Sequence, residues 1–458
     1  PPSFTNCVDG TADAEGAPQT DNACSTAEVV DQRSIPVVSK ITDGNSFIPG
    51  DEITFDVYLR NADVAHLDFV DPIVADLLPP ELELLPSTVT YISGPAGAPT
   101  PTLSIVDDYN STGRTLVRWA WEGGTSYRMA PTDQFHMQLT ARVIDFTPPG
   151  RYFNEAAVLT NNTTDNPNIR YCNGEGGEYT DVNDLDGDFD TTEVTCKNPP
   201  SEGFFDVAVF LSMESEKFVW GELDSDWNKL GRTVPGGQVD WQMVITNTSN
   251  VTTTGLIVYD VLPFIGDTGV IDTQARQSEW RPNLQGPVEG PMGVPLTVSY
   301  STSENPCRPE VTNAAGCDND WTTVFPADNP ASVQALRFEF CDGGGCLDLP
   351  IGGSLTLEWP MVAPNDAPAN AACDNPYDPN NHQQFAIDFP ACEIAWNSFG
   401  FVASGSGATL LPTEPIRVGI RVLEDPRFAL GDLVWLDVAG FDQDHIQQIA
   451  EQQLWGVD

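Results

Sequence analysis

The stretch "PGDEITFDVYLRN", Pro49 to Asn61, opens on a Pro-Gly turn and then alternates apolar and polar residues. The pattern returns at Pro235 to Asn247 as "PGGQVDWQMVITN", and the two stretches align without a gap. Ile53, Phe55, Val57 and Leu59 take the places of Val239, Trp241, Met243 and Ile245. A period of two marks a strand with one buried face. Each copy ends in Asn, a residue suited to the turn that follows a strand.

Further blocks repeat in the same order. "DLLP" at Asp76 to Pro79 answers "DVLP" at Asp260 to Pro263. "MQLTARV" at Met137 to Val143 resembles "SLTLEWPMV" at Ser354 to Val362. The closing strands open "FNEAAV" at Phe153 and "WNSFGFV" at Trp396, each an aromatic followed by Asn. Matched blocks in one order predict two copies of a single all-β domain. With 38 Pro and 38 Gly punctuating short strands and no long 3.6-residue period, two antiparallel β-sandwiches are expected. The expected segments are 1–33, the last strand of a preceding domain; 34–198, the first sandwich; and 199–203, a semi-stiff linker around Pro199 and Pro200. The second sandwich, lengthened by insertions, covers 204–425, and a C-terminal segment covers 426–458.

Composition narrows the setting. The 458 residues carry 67 Asp plus Glu against 20 Lys plus Arg, a formal charge of -47. Such a field repels nucleic acid and anionic membranes and favours divalent cations. Forty per cent apolar residues, with 11 Trp, suffice for real cores, so this is not a disordered acidic chain. The ten Cys pair off by proximity as Cys7 with Cys24, Cys172 with Cys196, Cys307 with Cys317, Cys341 with Cys346, and Cys373 with Cys392. Proximity does not establish connectivity, but loops clipped by local disulfides are the simplest reading. That reading implies an oxidising, extracellular or cell-surface location. No stretch has the apolar length of a membrane-spanning helix.

Pro-Gly, alternating strand, Asn and then Asp-x-Leu-Pro resembles the bacterial surface repeat known as domain of unknown function eleven, across both central domains. The resemblance implies an immunoglobulin-like sandwich strung in tandem on adhesins and surface stalks. "LGDLVWLD" at Leu430 to Asp437, followed by "IQQIAEQQLWGV" at Ile446 to Val457, resembles the opening of a serine-aspartate-repeat B-type domain. In that family the loop binds calcium, and the matching positions here are Asp437, Asp442, Asp444 and Glu451. Both ends therefore read as cut from a longer string of domains. The alternative is donation of end strands between subunits, which builds a head-to-tail fibre.

Enzyme motifs are absent: no G-x-S-x-G elbow, no H-E-x-x-H, no phosphate loop, no dinucleotide fingerprint. A non-enzymatic structural or adhesive module is expected, its partners being other copies of itself, neighbouring domains, or a carbohydrate or protein ligand gripped by loops of the second sandwich. A Lys–Asn isopeptide suits sandwiches of this kind, and it needs a first-strand Lys, a last-strand Asn and a buried acid. Lys40 and Asn154 qualify in the first domain, with Asp56 as the acid; against this, Asn154 and Asn397 read as turn or ladder residues. The second domain keeps Asn397, but its expected first strand, "FDVAVFLSM" from Phe205, holds no Lys, so no cross-link is expected there. Asn110, Asn161, Asn162, Asn247 and Asn250 stand in N-x-[ST] sequons.

The run "DVNDLDGDFDTTE", Asp181 to Glu193, is the main metal candidate. With Gly187 as the turn, Asp184, Asp186, Asp188, Asp190 and Glu193 fall at ligand spacing. Val182 holds the first place, which Asp181 or Asn183 must fill. Calcium is expected there, against the alternative of a solvated acidic loop. "ELDSDWN", with Asp224, Asp226 and Asn228 alternating, is a second and weaker calcium candidate.

Overall fold

The computed structural model describes residues 3–14, 17–28, 33–121, 126–162, 164–166, 177–272, 274–312, 314–369 and 393–424. Among them the regular elements are β-strands joined by turns and three short 3-10 turns, and no helix is long and apolar enough to cross a membrane. The expected C-terminal calcium residues Asp437, Asp442, Asp444 and Glu451, and Cys172, Cys373 and Cys392, lie outside the described residues. The chain divides into two compact units, Pro1–Phe210 and Leu211–Asp458. Each is an immunoglobulin-like antiparallel β-sandwich, and each is described by itself below.

In unit 1 one sheet runs Pro36–Thr42, Glu52–Asn61, Gln134–Val143 and Leu82–Leu84. The opposing sheet runs Thr102–Val106, Leu116–Ala120, Ile73–Leu77, Ala156–Leu159, Val194–Lys197 and Gly177–Thr180. Glu52–Asn61 alternates buried and partly exposed residues along its whole length, as its period of two requires. Phe55, Trp119 and Phe135 fill the space between the sheets. At the N-terminus, Ser3–Ala14 and Ala17–Glu28 form a hairpin paired only with itself and bridged by Cys7–Cys24.

Unit 2 repeats this plan. Met213–Gly221, Gln238–Asn247, Ser354–Val362 and Asn283–Leu284 form one sheet. Thr297–Ser301, Ala335–Glu339, Thr254–Val261, Phe399–Gly405 and Ala408–Thr409 form the other. Trp241, Trp359, Phe338 and Phe401 pack between them. Local disulfides Cys307–Cys317 and Cys341–Cys346 clip its loops, and Cys196 of unit 1 is also disulfide-bonded.

The boundary differs from the expected one. Residues 199–203 form a turn of unit 1, in which Glu202 N–H donates to the Pro199 carbonyl and the Glu202 carboxylate accepts from Lys40 N–H. Phe204–Val207 then pairs with Gly150–Phe153 and Ser46–Phe47, and Phe205 enters the first core beside Phe55. An apolar strand next to a Pro-Pro pair looks like the opening of a new domain, yet its long-range pairing returns it to the old one. The second sandwich begins instead with Met213–Gly221.

The strand-ending Asn residues also have a different role from the turn residue and sequon expected. Asn61 and Asn247 are fully buried. Asn61 accepts from Ile35 N–H and donates to the carbonyls of Leu67 and Met129. Asn247 accepts from Ser249 N–H and donates to Val251 and Leu349 carbonyls. Each satisfies backbone groups that would otherwise be orphaned in the interior. Burial removes Asn247 and its neighbour Asn250 as glycan acceptors, while Asn110 and Asn161 are exposed and Asn162 is partly buried.

Candidate functional site

A lysine in a sandwich interior needs an explanation, because burying an unpaired ammonium is prohibitive. Lys40 lies on Pro36–Thr42 with its side chain turned inward, whereas its neighbour Ile41 is 52% exposed. Lys217 on Met213–Gly221 is likewise inward, and Phe218 beside it turns outward under Lys229, whose amine is 3.7 Å from the ring centre. Both strands thus invert the usual choice of which residue to bury.

The two lysines are equivalent. Lys40 is registered opposite Val57 and Lys217 opposite Met243, the positions matched in the sequence repeat. Each amine donates to a buried carboxylate, Lys40 to Asp76 and Lys217 to Asp260. Those acids open the matched "DLLP" and "DVLP" blocks. All four side chains are fully inaccessible. Lys40 Nζ lies 4.6 Å from the Phe55 ring centre; Lys217 Nζ lies 4.5 Å from that of Trp359 and 5.6 Å from that of Phe399.

The third member is Asn. Asn154 is fully buried between Gly150–Phe153 and Ala156–Leu159, where the chain leaves one sheet for another. Its amide lies against Asp76, helping to hold that carboxyl down, yet neither amide atom has a well-formed hydrogen bond. In unit 2 Asn397 is the last residue of Ile394–Asn397, before Phe399–Gly405. Ala156 pairs with Asp76 and Phe399 pairs with Asp260, so each Asn stands two residues before the acid's partner. Asn397 is also fully buried; its Oδ1 accepts from Arg276 Nη1 at 3.2 Å, and its Nδ2 is unpartnered.

Burial shifts the titrations. Desolvation lowers the Lys40 amine to about 8 against the pull of Asp76, and raises Asp76 against the pull of Lys40. Desolvation also lowers Lys217 to about 8, with Asp260 opposing and Arg276 assisting. An amine near 8 has an appreciable neutral fraction at physiological pH, and only the neutral form is nucleophilic.

Asp56, the acid expected for the first domain, lies on the other face of its strand. It is half-exposed and bonds His136 and Gln138, so Asp76 takes the place assigned to it. The lysine expected to be missing from the second domain is Lys217. It is hidden in the sequence because Phe204–Val207, a strand of unit 1, looks like the opening of the second domain. The usable signal was Lys at an inward place of an alternating strand, flanked by an outward aromatic.

The acidic loop is anchored by Leu185, which packs into a satellite core with Ile73, Leu116 and Leu159. Ligand oxygens of Asp181, Asp186 and Glu193 lie within 4.8 Å of one another, as do those of Asp184, Asp186 and Asp188. Asp181 and Asp186 are buried. Burial and the neighbouring carboxylates raise Asp186 to about 6 and Glu193 to about 8. Asp190 is turned to Thr192, whose N–H and hydroxyl it accepts, and Asn183 donates to the Tyr179 hydroxyl. These two stand outside both clusters.

The second calcium candidate is not gathered to a point. Asp224 accepts from Gly221 N–H, Arg232 N–H and Arg232 Nε, while Asp226 accepts from Trp227 N–H and Asn228 donates to the Asp226 carbonyl. Those bonds stitch a turn together.

No family model and no curated protein matches the chain. Loosely similar solved structures include the major pilin SpaA of Corynebacterium diphtheriae, described as a modular pilus assembly with stabilizing isopeptide bonds. It is 12% identical over 88% of this chain and 75% of that one, at a TM-score of 0.25. The C-terminal fragment of the major pilin GBS80 of Streptococcus agalactiae is 7% identical over 85% and 91%, at 0.23. The Enterococcus faecalis MSCRAMM ACE is 8% identical over 85% and 96%, at 0.19. No residue role is transferred from them.

Proposed function

We propose that the chain is an extracellular structural or adhesive cell-surface module in which each sandwich is closed by a Lys–Asn amide bond, Lys40 to Asn154 and Lys217 to Asn397. The observation that carries this reading is the recurrence of one buried Lys–Asp pair, with a buried Asn at the same offset, in both repeats. Stability alone is a weak reason for two such pairs, because replacing a buried ion pair by well-packed apolar residues is often neutral or stabilising.

In the reaction the neutral lysine nitrogen attacks the asparagine side-chain carbonyl carbon. The new C–Nζ bond forms, the C–Nδ2 bond breaks, and ammonia leaves. The aspartate takes the proton from the attacking amine and delivers it to the departing nitrogen, as a general base and then a general acid. No oxidant or cofactor enters the balance. The aromatic walls exclude water, which would otherwise compete as nucleophile and restore the amine's solvation.

Covalent closure suits a surface module under load, and so do the local disulfides of an oxidising compartment. Partners are neighbouring domains or further copies of the chain, with head-to-tail strand donation as one route to a fibre. The alternative is a ligand-binding adhesin, favoured by an open cleft of about 570 Å³ in unit 2 lined by Gln274, Arg276, Ser398, Glu414 and Arg417. A glycan-array signal lost on Arg417→Ala would favour that alternative. For the cross-link, the test is the intact mass of the reduced, denatured chain: lowered by two ammonia for the full reading, unchanged if neither bond forms.

A further inference from the structure

The acidic loop differs from ordinary surface charge in one respect: it places carboxylates in the interior and leaves several of their oxygens without partners. Asp186 is 1% exposed, and neither of its carboxylate oxygens has a well-formed hydrogen bond, although the Asp188 N–H and the Glu193 carboxyl lie near enough to act on it. Asp181 is fully buried, and while its Oδ2 accepts from Leu185 N–H at 2.7 Å, its Oδ1 has no partner. Buried polar atoms are almost always satisfied, and an unpartnered buried carboxylate is the most costly exception. One oxygen of Asp181 and both oxygens of Asp186 are therefore bare in the interior of this loop.

We infer that Asp181, Asp186 and Glu193 form the floor of a calcium site, with Asp184 and Asp188 closing it from the solvent side. The ligand oxygens of the first three lie within 4.8 Å of one another, the spacing of groups that share one ion. Asp186 belongs to both carboxylate clusters and is therefore the central ligand. Every donor is a hard oxygen; none of the cluster is His or Cys, which argues against zinc and the softer transition metals. Calcium accepts roughly six to eight such oxygens in irregular geometry, whereas magnesium demands a compact octahedron and keeps its waters.

The loop is built to hold its shape before the ion arrives. The Tyr109 hydroxyl donates to the Asp184 carbonyl at 2.6 Å, and Asn110 Nδ2 donates to that of Asn183 at 3.0 Å. Gly187, at φ 81°, turns the chain between Asp186 and Asp188. Arg118 approaches the loop near Gly187. This ligand set keeps Asp181 as a ligand while leaving Asn183 and Asp190 outside. An ion here ties the loop to Val194–Lys197, the strand that carries the disulfide-bonded Cys196.

The test uses the full chain, thermal melting, and terbium as a luminescent calcium substitute excited through nearby Tyr109 and Tyr179. Calcium chloride is expected to raise the melting temperature of the wild-type chain above its value in chelator, and magnesium at equal concentration to do much less. Asp186→Asn should abolish that rise and the calcium-displaceable terbium signal. In chelator it should melt no lower than wild type, since it removes a repelling charge from the interior. Glu193→Gln should weaken calcium binding at least tenfold. Equal wild-type melting in calcium and chelator would overturn the assignment, and so would a full calcium response in Asp186→Asn. If Asp186→Asn instead melts well below wild type in chelator, the carboxylate has a structural role without the ion, and the assignment falls as well.

Discussion

The two sandwiches carry the same three side chains but hold the asparagine differently. In unit 2 the carbonyl oxygen of Asn397 is gripped by Arg276, itself paired with Asp267 at 2.7 Å. In unit 1 the Asn154 amide has no hydrogen-bonding partner of its own beside Asp76. A donor on a carbonyl oxygen stabilises the negative charge that develops there when an amine attacks. The difference separates what cross-linking requires, a desolvated amine, an acid and an amide, from what accelerates it. Unit 2 is expected to close faster.

The largest effect is expected at the acids. Asp76→Ala or Asp260→Ala removes the proton carrier and leaves a buried lysine unpaired, which costs on the order of 3–5 kcal/mol before the lost bond is counted. Mass spectrometry should show one fewer ammonia lost, and calorimetry should show the affected unit melting first. Lys40→Met or Lys217→Met also leaves a buried acid without its partner, but the acid can take up a proton and become neutral and the apolar stem is kept, so the effect should be milder. What goes is the covalent tie, each closing a loop of more than a hundred residues, worth ~4–5 kcal/mol if it behaves as a disulfide of that span does. Equal melting of Lys217→Met and wild type would break the account for unit 2 alone.

Next comes the contrast itself. Arg276→Gln should slow closure of unit 2 by about a hundredfold, the usual cost of one oxyanion donor, and leave unit 1 at its own rate. The check is a time course of ammonia loss in freshly synthesised chain, with peptide mapping to assign each bond. Unchanged unit 2 kinetics would reduce Arg276 to a structural role.

The smallest effect is a pH dependence. A chain with both Asn154→Ala and Asn397→Ala keeps two buried amines at about 8, below the 10.5 they have when unfolded. Between those values the unfolded state binds more protons, so the contribution of these amines to stability should rise with pH across that window and be constant on either side. The groups acting on these amines are Asp76 and Glu155 in unit 1, and Asp260, Arg276 and Glu414 in unit 2. Cross-linked protein has no amine left to titrate there, and its stability should lack this rise.

Much of the fold was legible because it is written twice. Pro49–Asn61 and Pro235–Asn247 contain the observed strands Glu52–Asn61 and Gln238–Asn247, and the alternation names their inward residues. The blocks holding Asp76, Asp260, Asn154 and Asn397 were also visible as repeats; the sequence offers Asn154 as the partner of Lys40, but not Asp76 or Asp260 as the acid. Asp-x-Leu-Pro reads locally as the end of a strand, and only pairing between sheets brings it to a lysine. Lys217 stayed hidden because Phe204–Val207 looks like an opening strand, and nothing local tells that it pairs with Gly150–Phe153. Asp56, the acid expected, is ruled out by the same alternation, which places it on the other face from Phe55 and Val57. In the acidic loop the oxygens could be counted in advance. Which of them are buried and bare depends on Leu185 reaching its satellite core.

The most direct measurement is the intact mass of the full chain after reduction and denaturation, followed by peptide mapping of any linked pair. The account predicts a deficit of two ammonia, with one linked peptide pair joining Lys40 to Asn154 and another joining Lys217 to Asn397. A chain at its full sequence mass, with all four residues recovered unlinked, would contradict it.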